Sequence, residues 1–288
     1  MAATACVEAP APAGSAPGGW EALLELGFER ELARTVLATR RHTGPLRVQK
    51  PLYPEGPDVC QVIVVHPPGG IVAGDSLVIG IDAGERAHAQ LTTPGAARWY
   101  RSSGPFARSD TMLNVRAGAL VEWLPQDTIL FDGARASIAL RVVLAPDARF
   151  LGWDITSLGR TESGERFATG SLRQRVDLVC NGMPLWCERT VLEGGSPALQ
   201  SGAMLGGAPV FGTLVAAGIA VDDELTATCR AVRCASGDGA VTRLPQVFVA
   251  RYRGTSASAG RTYFATLWRL LRPLLAGRDA VLPRIWST

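Results

Sequence analysis

The chain has 288 residues, of which 47% are hydrophobic and 19% charged, and its formal net charge is +3 at pH 7. This length accommodates one large domain or two smaller ones, and the hydrophobic share excludes a chain that is disordered throughout. Lys50 is the only lysine among the 29 basic residues, and the arginines alternate with acids along most of the chain, which excludes a broad basic stripe for nucleic acid.

The first 18 residues are rich in Ala, Pro and Gly, and we expect them to form a disordered leader. They lack the basic segment and apolar core of a secretory signal, and no later run approaches the roughly 18 apolar residues that span a membrane. None of the six cysteines belongs to a CxxC pair. We therefore expect a soluble, cytoplasmic, thiol-reduced protein in which residues 19–288 form one domain.

Turn-forming residues recur about every eight to twelve positions from Trp20 to Leu192, and the segments between them are rich in Val, Ile, Thr, Trp and Phe. This pattern predicts an all-β architecture of short strands. The run VIVV at 62–65 is continuously apolar, which predicts a strand buried on both faces. Asn181 and Gly182 separate two strand-like runs and predict a hairpin with a type I′ turn.

Beyond about residue 200 the pattern becomes mixed. It predicts a strand at 210–217, a helix at 222–232 and a strand at 244–254. A second helix is predicted from the spacing of Tyr263, Leu267, Leu270 and Leu271, with a stop at Gly277. Pro273 is expected to kink or end this helix, because it lacks an N–H. Residues 205–288 are therefore a possible α/β subdomain.

The glycine-rich stretch HPPGGIVAGDSL, residues 66–77, has a spacing close to that of a nucleotide-binding P-loop. A P-loop places a lysine after its second glycine to reach the phosphates, and here Asp75 stands in that position. A carboxylate would repel phosphate, so a nucleotide site is disfavoured. Two interpretations stay open: Asp75 caps a turn in a connecting loop, or His66 and Asp75 transiently hold a divalent metal.

Nucleophilic and zinc chemistry have little support in the sequence. The three histidines and the cysteines lie outside any GxSxG or papain-like context, which disfavours a hydrolase. Cys180 and Cys187 flank the predicted hairpin turn, and Cys229 and Cys234 are near neighbours. Buried structural thiols are preferred to zinc ligands for both pairs.

Acids also occur inside apolar or aromatic strand-like segments: Glu122, Asp127, Asp154 and Glu188. Strand alternation allows each of them to face solvent. Asp154 and Glu188, however, adjoin strands that we expect in the interior, where a carboxylate needs an arginine partner or a water-filled passage. The neighbouring Arg189 and the nearby Arg160 make a salt bridge the slightly preferred interpretation.

Several long motifs resemble one family in order along the chain: HPPGGIVAGDSL, LTTPGAARWYRSSG, VEWLPQDTILFDGA, FLGWDITSLGRTESGERFATG and WRLLRPLLAGRDAVLPRIWST. Together they resemble the UreD (also called UreH) family of urease accessory proteins, from about Trp20 to Thr288. The resemblance implies a mainly β, solenoid-like (β-helical) stack of short strands with a few helices, mostly in the C-terminal third. It also implies a non-enzymatic role.

On this resemblance we expect the protein to join UreF and, through UreF, the GTPase UreG to apo-urease and to help deliver nickel. No tightly bound cofactor, nucleic acid or membrane is expected, and contact with Ni²⁺ would be transient. The family is thought to enclose a polar passage, and the matching motif positions implicate Asp75, Asp154 and Glu188, with His66 as a further member. A purely structural adaptor without metal contact is the alternative, followed by a nucleotide-dependent hydrolase.

Overall fold

The computed structural model describes residues 19–287, and most of its regular structure is β-strand. Two α-helices lie in the C-terminal part, α1 (Asp223–Ala231) and α2 (Ala257–Ala276). The strands in chain order are β1 (Glu21–Glu31), β2 (Arg34–Thr43), β3 (Arg47–Val48), β4 (Val59–Val65), β5 (Ser76–Ala83), β6 (His88–Thr92), β7 (Ala97–Trp99), β8 (Ala107–Val115), β9 (Leu120–Leu124), β10 (Thr128–Leu130), β11 (Arg135–Leu144), β12 (Arg149–Leu158), β13 (Ser171–Cys180), β14 (Met183–Glu193), β15 (Val210–Ala217), β16 (Asp238–Arg243) and β17 (Val247–Gly254). The expectation of a mainly β, solenoid-like stack is confirmed. The predicted disordered leader lies outside the described residues.

The strands form two sheets. One has seven strands in the order β14-β13-β11-β8-β5-β1-β2, and the other has ten, in the order β16-β17-β15-β12-β9-β6-β4-β3 with β10 and β7 attached beside β12. The strands β5, β8, β11 and β13 run parallel in the first sheet, as β4, β6, β9 and β12 do in the second. Successive strands of this series belong to opposite sheets, so each circuit of the chain adds one parallel strand to both.

Apolar side chains pack in two layers, one on each face of the ten-stranded sheet. The layer between the two sheets includes Leu24, Phe28, Val62, Leu113 and Phe150. The layer between the ten-stranded sheet and α2 includes Leu214, Phe248, Phe264, Trp268 and Leu271. Because both faces are covered, β4 is buried along nearly its whole length, as the continuous apolar run predicts.

The predicted hairpin is formed by β13 and β14. Asn181 and Gly182 have φ angles of 49° and 77°, the positive values that a type I′ turn requires. The paired strands form one end of the seven-stranded sheet. The turn chemistry therefore sets the register at this edge, which matters because Glu188 lies on β14.

The helix α2 differs from the prediction at one residue. Pro273 lies inside the helix, which continues to Ala276 and ends at Gly277 with φ 65°. Of the two outcomes expected at Pro273, a kink or an end, the helix does not end there, while the predicted stop at Gly277 is correct. A proline in the last turn removes a single backbone hydrogen bond, and the buried side chains of Leu271 and Leu275 on either side hold that turn against the sheet.

The C-terminal third continues the ten-stranded sheet. The strand β15 pairs antiparallel with β12, β17 pairs with β15, and β16 pairs with β17. The helix α2 lies against β12, β15 and β17. This arrangement places the strand that carries Asp154 beneath α2 on one face and against the seven-stranded sheet on the other.

Candidate functional site

A cavity of about 380 Å³ lies between the two sheets. Apolar side chains of both sheets form much of its wall, including Leu77, Ile79, Leu140, Trp99 and Trp123. Its polar lining includes His66, Thr111, Asp154, Gln174 and Arg175. Two of the four residues that the family resemblance implicates, His66 and Asp154, therefore line the same cavity.

Asp154 projects from β12 into the layer between the sheets. Its Oδ2 accepts a hydrogen bond of 2.9 Å from Nε2 of Gln174, which lies on β13 in the opposite sheet. The pKa of Asp154 is raised to about 7, chiefly by burial. The hydrogen bond from Gln174 lowers this pKa, the charge of Glu188 raises it, and the charge of Arg251 lowers it. Near neutral pH this carboxyl group is therefore poised between its protonated and ionised forms.

Glu188 lies on β14, one strand further along the same layer. Nη1 of Arg251 donates a hydrogen bond of 2.7 Å to Oε1 of Glu188, and Thr213 Oγ1 lies 3.5 Å from the same oxygen. The other oxygen, Oε2, is buried and has no hydrogen-bond partner among residues 19–287. Because an unpaired buried carboxylate oxygen is costly, it is a point at which a proton, a water or a cation would be stabilised.

Strand register connects the two acids. Asp154 on β12 stands opposite Thr213 on β15, and Thr213 stands opposite Arg251 on β17. From the facing sheet, Glu188 reaches both Thr213 and Arg251. The structure therefore brings Asp154 and Glu188 into one electrostatic environment, with Arg251 as the counter-charge.

The salt bridges expected for these acids were assigned to the wrong arginines. Arg189 pairs with Asp177 at 2.6 Å, and Arg160 pairs with Glu165 at 2.8 Å. The strand alternation explains the first error, because Arg189 and Glu188 are adjacent and their side chains point to opposite faces of the sheet. Glu188 pairs with Arg251 instead, and no arginine bonds to Asp154 among the described residues.

His66 and Asp75 lie at the glycine-rich loop. His66 is half-buried at the cavity wall, where burial lowers its pKa and the charge of Asp75 raises it. Asp75 is buried, and both of its oxygens accept backbone hydrogen bonds of 2.9 Å, Oδ1 from Trp20 and Oδ2 from Val72. These bonds support the interpretation of Asp75 as the cap of its own loop. A metal contact of Asp75 stays a prediction.

The glycine-rich loop also lacks the helix that a P-loop needs. Gly69 and Gly74 have φ angles of 75° and 82°, and the chain passes directly from Asp75 into the strand β5. A phosphate cradle relies on backbone N–H groups at a helix N-terminus. The geometry therefore agrees with the argument from Asp75 that this loop is not a nucleotide site.

A second buried carboxylate, Glu122 on β9, lies on the opposite face of the same sheet. His88 Nε2 is 2.5 Å from its Oε1, and Trp268 Nε1 donates a hydrogen bond of 2.5 Å to its Oε2. Arg272 Nε lies 3.1 Å from Oε1, an ion pair whose angle falls short of a hydrogen bond, and Arg272 also pairs with Glu55 at 2.9 Å. The expectation that Glu122 faces solvent was wrong, because α2 covers this face of the sheet.

The remaining candidates show no metal chemistry of their own. Asp127 is mostly buried and lies 3.5 Å from Arg261, so it does not face solvent either. The cysteines of residues 19–287 are all free thiols, and Cys187 is exposed, which corrects the expectation that both predicted pairs are buried. Within the same range, no three His, Cys, Asp or Glu side chains converge as metal ligands.

Sequence reasoning missed the partners of the candidate acids. Gln174, Thr213 and Arg251 are ordinary polar positions in strand-like segments, and only the pairing of the two sheets makes them neighbours of Asp154 and Glu188. Arg272 gave a clearer signal, since it stands in WRLLRPLL on the apolar side of a predicted helix. A charge at such a position needs a buried acid as partner.

Comparison with known proteins gives a consistent result. A family model described as UreD urease accessory protein matches residues 21–287. A protein of Azoarcus sp. (strain BH72) is 52% identical over 274 residues, which cover 95% of this chain and 96% of the relative. Relatives from Nitrosococcus oceani and Pseudomonas aeruginosa are 50% and 51% identical over 97% and 93% of this chain, and 94% and 95% of their own. All three are named urease accessory protein UreD.

Neither α1 nor α2, nor any other helix within residues 19–287, is long and apolar enough to cross a bilayer.

Proposed function

Because the chain belongs to the UreD family of urease accessory proteins, we propose that it is a scaffold that joins UreF and, through UreF, the GTPase UreG to apo-urease and helps deliver nickel to the urease active site. In this proposal the chain acts in the cytoplasm and is not itself an enzyme. Nickel is its cargo, and the contacts with the metal are transient.

The observation that carries the nickel role is the pair of carboxylates between the sheets. Asp154 borders the cavity, and Glu188 lies beyond it in the same layer with one buried oxygen unpaired. Carboxylate oxygens, together with the imidazole of His66 at the wall, are donors that a divalent transition metal accepts. A chain of such donors, each weak by itself, suits a carrier that must release its metal.

The environment of Asp154 fits transient contact with a cation. Because its pKa is about 7, the carboxyl group gives up a proton readily when a cation approaches, and metal binding would be coupled to proton release. At Glu188 a cation must compete with the Arg251 guanidinium, which is about half exposed and therefore able to move aside. Both features keep a bound cation from being held tightly.

The glycine-rich loop has no part in nucleotide binding in this proposal. Its acid is used for backbone hydrogen bonds, and GTP is left to the partner GTPase. Calorimetric titration of the purified chain with GTP and ATP tests this division of roles. Binding of either nucleotide at micromolar concentration would favour the hydrolase alternative.

The test of the function uses cells that carry the urease operon with this gene deleted. We expect little urease activity in the deletion strain and recovery when the wild-type gene is returned on a plasmid. Full activity in the deletion strain without added nickel contradicts the proposal. Co-purification of the tagged protein with the other operon products identifies its partners, and UreF and apo-urease are expected among them.

A structural adaptor that never touches metal is separated by equilibrium dialysis of the isolated chain against Ni²⁺. The nickel proposal predicts weak binding that falls when Asp154 and Glu188 are both replaced by alanine. No nickel uptake by the wild type would leave only the adaptor role, and equal uptake by the wild type and the double variant would exclude Asp154 and Glu188 as the ligands.

A further inference from the structure

A second cavity, of about 640 Å³, lies apart from the space between the sheets. Four arginines from four separate segments line it: Arg30 on β1, Arg86 in the turn after β5, Arg149 at the start of β12 and Arg278 just after α2. Asp58 and His88 complete its polar wall. We call this cavity the arginine pocket.

The acid in the arginine pocket neutralises only part of its charge. Asp58 accepts hydrogen bonds from Arg30 at 2.6 Å and from Arg278 at 2.9 Å on its two oxygens. These two bonds lower the pKa of Asp58, so it is ionised at neutral pH. Four guanidinium groups against this one carboxylate leave a formal charge of +3 in the lining, before any charge on His88 is counted.

The other two arginines meet no carboxylate in the described part of the chain. Arg149 donates through Nη1 to the carbonyl oxygen of Leu275 at the end of α2, which orients the guanidinium without neutralising it. No hydrogen bond or ion pair of residues 19–287 involves the guanidinium of Arg86. Asp147 approaches the same glycine, Gly118, as the Arg86 side chain, but it does not line the pocket, and among the described residues it forms no ion pair with Arg86.

The acids behind the pocket are already committed. His88 at the pocket wall lies against Glu122, and Glu122 is held by Arg272 and Trp268 as well. Glu55, the next acid, pairs with Arg272. The acids behind the pocket are therefore paired elsewhere, and Asp58 is the one acid among the described residues of the lining.

A concave surface with unbalanced guanidinium groups attracts anions, because the low-dielectric walls concentrate the field. Guanidinium groups also match the planar or tetrahedral arrangement of oxygens in carboxylate and phosphate. We propose that the arginine pocket binds a small oxyanion, a phosphate or a carboxylate, with Arg86 and Arg149 as its main donors. This site is separate from the proposed nickel passage and does not depend on it.

The test is calorimetric titration of the full-length protein, at low ionic strength, with inorganic phosphate in one arm and acetate in the other. Tighter binding of phosphate than of acetate identifies a phosphate site. Binding of acetate at least as tight as that of phosphate identifies a carboxylate site, which an acidic side chain of a partner protein would fill. Either result supports the proposal. Failure of both ions to bind with a Kd below about 10 mM overturns it.

The variant Arg86→Asn removes the unpaired guanidinium, and asparagine tolerates the positive φ of 58° at this position. We expect it to weaken anion binding about tenfold, equivalent to about 1.4 kcal/mol. The matched control is Arg233→Asn, which makes the same change at an exposed loop residue with no side-chain bond among the described residues. Equal weakening by both variants would mean a general charge effect and would contradict a site in the pocket.

Discussion

Glu122 and Asp154 are both buried acids on neighbouring strands of the ten-stranded sheet, yet their surroundings are opposite. Glu122 faces α2, where His88, Arg272 and Trp268 all contact its carboxylate. Asp154 faces the seven-stranded sheet, where the one hydrogen bond that it accepts from residues 19–287 comes from the neutral amide of Gln174. Because Asp154 is no more buried than Glu122, the difference lies in the partners.

The two pKa values move in opposite directions for this reason. Burial raises the pKa of Glu122, but the hydrogen bond and charge of His88, the charge of Arg272 and the bond from Trp268 lower it below its ordinary value. Burial is also the largest cause at Asp154, where the hydrogen bond from Gln174 and the charge of Arg251 are too weak to offset it, and the pKa is raised to about 7. Glu122 is thus a fixed charge that joins α2 to the sheet, and Asp154 is a group that can still change its charge.

The largest expected effect comes from Glu122→Gln. This change leaves the buried Arg272 with Glu55 as its only acid, and we expect it to lower the free energy of unfolding by about 3–5 kcal/mol. Urea unfolding measures the loss, with the exposed Glu31→Gln as matched control. The pKa of Glu122 lies below its ordinary value of 4.5, so the stability that the carboxylate contributes is present above pH 4.5 and is lost as the pH falls through the lowered pKa. The difference in stability between the wild type and Glu122→Gln should therefore shrink as the pH falls. Equal stability of the two variants would contradict the fixed-charge role.

The next effect has the opposite sign. Asp154→Asn keeps an oxygen for Gln174 but cannot ionise, so we expect it to be more stable than the wild type at pH 8. Because the pKa of Asp154 is raised on folding, the stability that this group contributes is fully present below its unfolded-state pKa of 3.8 and is lost as the pH rises through about 7. The pKa difference between the folded and unfolded states corresponds to at most about 4 kcal/mol of stability. Urea unfolding of both proteins from pH 5 to pH 8 measures it. A stability difference that stays constant over this range is incompatible with the raised pKa.

The smallest effect is expected from Arg251→Met. The Arg251 charge lowers the pKa of Asp154, so its removal should move the pH-dependent loss of stability to higher pH. The Arg251 side chain is about half exposed and water screens its charge, so the change in the pH-dependent part of the stability that comes from Asp154 should stay below about 1 kcal/mol. The measurement repeats the Asp154→Asn comparison in the Arg251→Met background. A shift to lower pH would show that Arg251 does not act on Asp154.

Local patterns predicted the fold better than the surroundings of these acids. The hairpin at Asn181 and Gly182, the buried strand at 62–65 and the helix stop at Gly277 each depend on a few adjacent residues. Such signals are present in the sequence because turn chemistry and side-chain alternation act over short distances.

The partners of the acids could not be predicted in this way. The bond from Gln174 to Asp154 joins opposite sheets, and Arg251 reaches Glu188 from 63 positions away. Glu122 was expected to face solvent, because alternation within one strand does not reveal that α2 covers the outer face of the sheet. These contacts depend on how the strands of the solenoid stack on one another. The spacing of residues along the chain carries no information on that stacking.

We propose that Asp154 and Glu188 help pass nickel to urease. The most direct measurement is the nickel content of urease purified from cells in which Asp154→Ala and Glu188→Ala are combined, grown with limiting nickel and compared with the wild type and with Glu31→Gln. We expect the double variant to co-purify with its partners still, while the urease from these cells contains less nickel. Unchanged nickel content in that urease would contradict the claim.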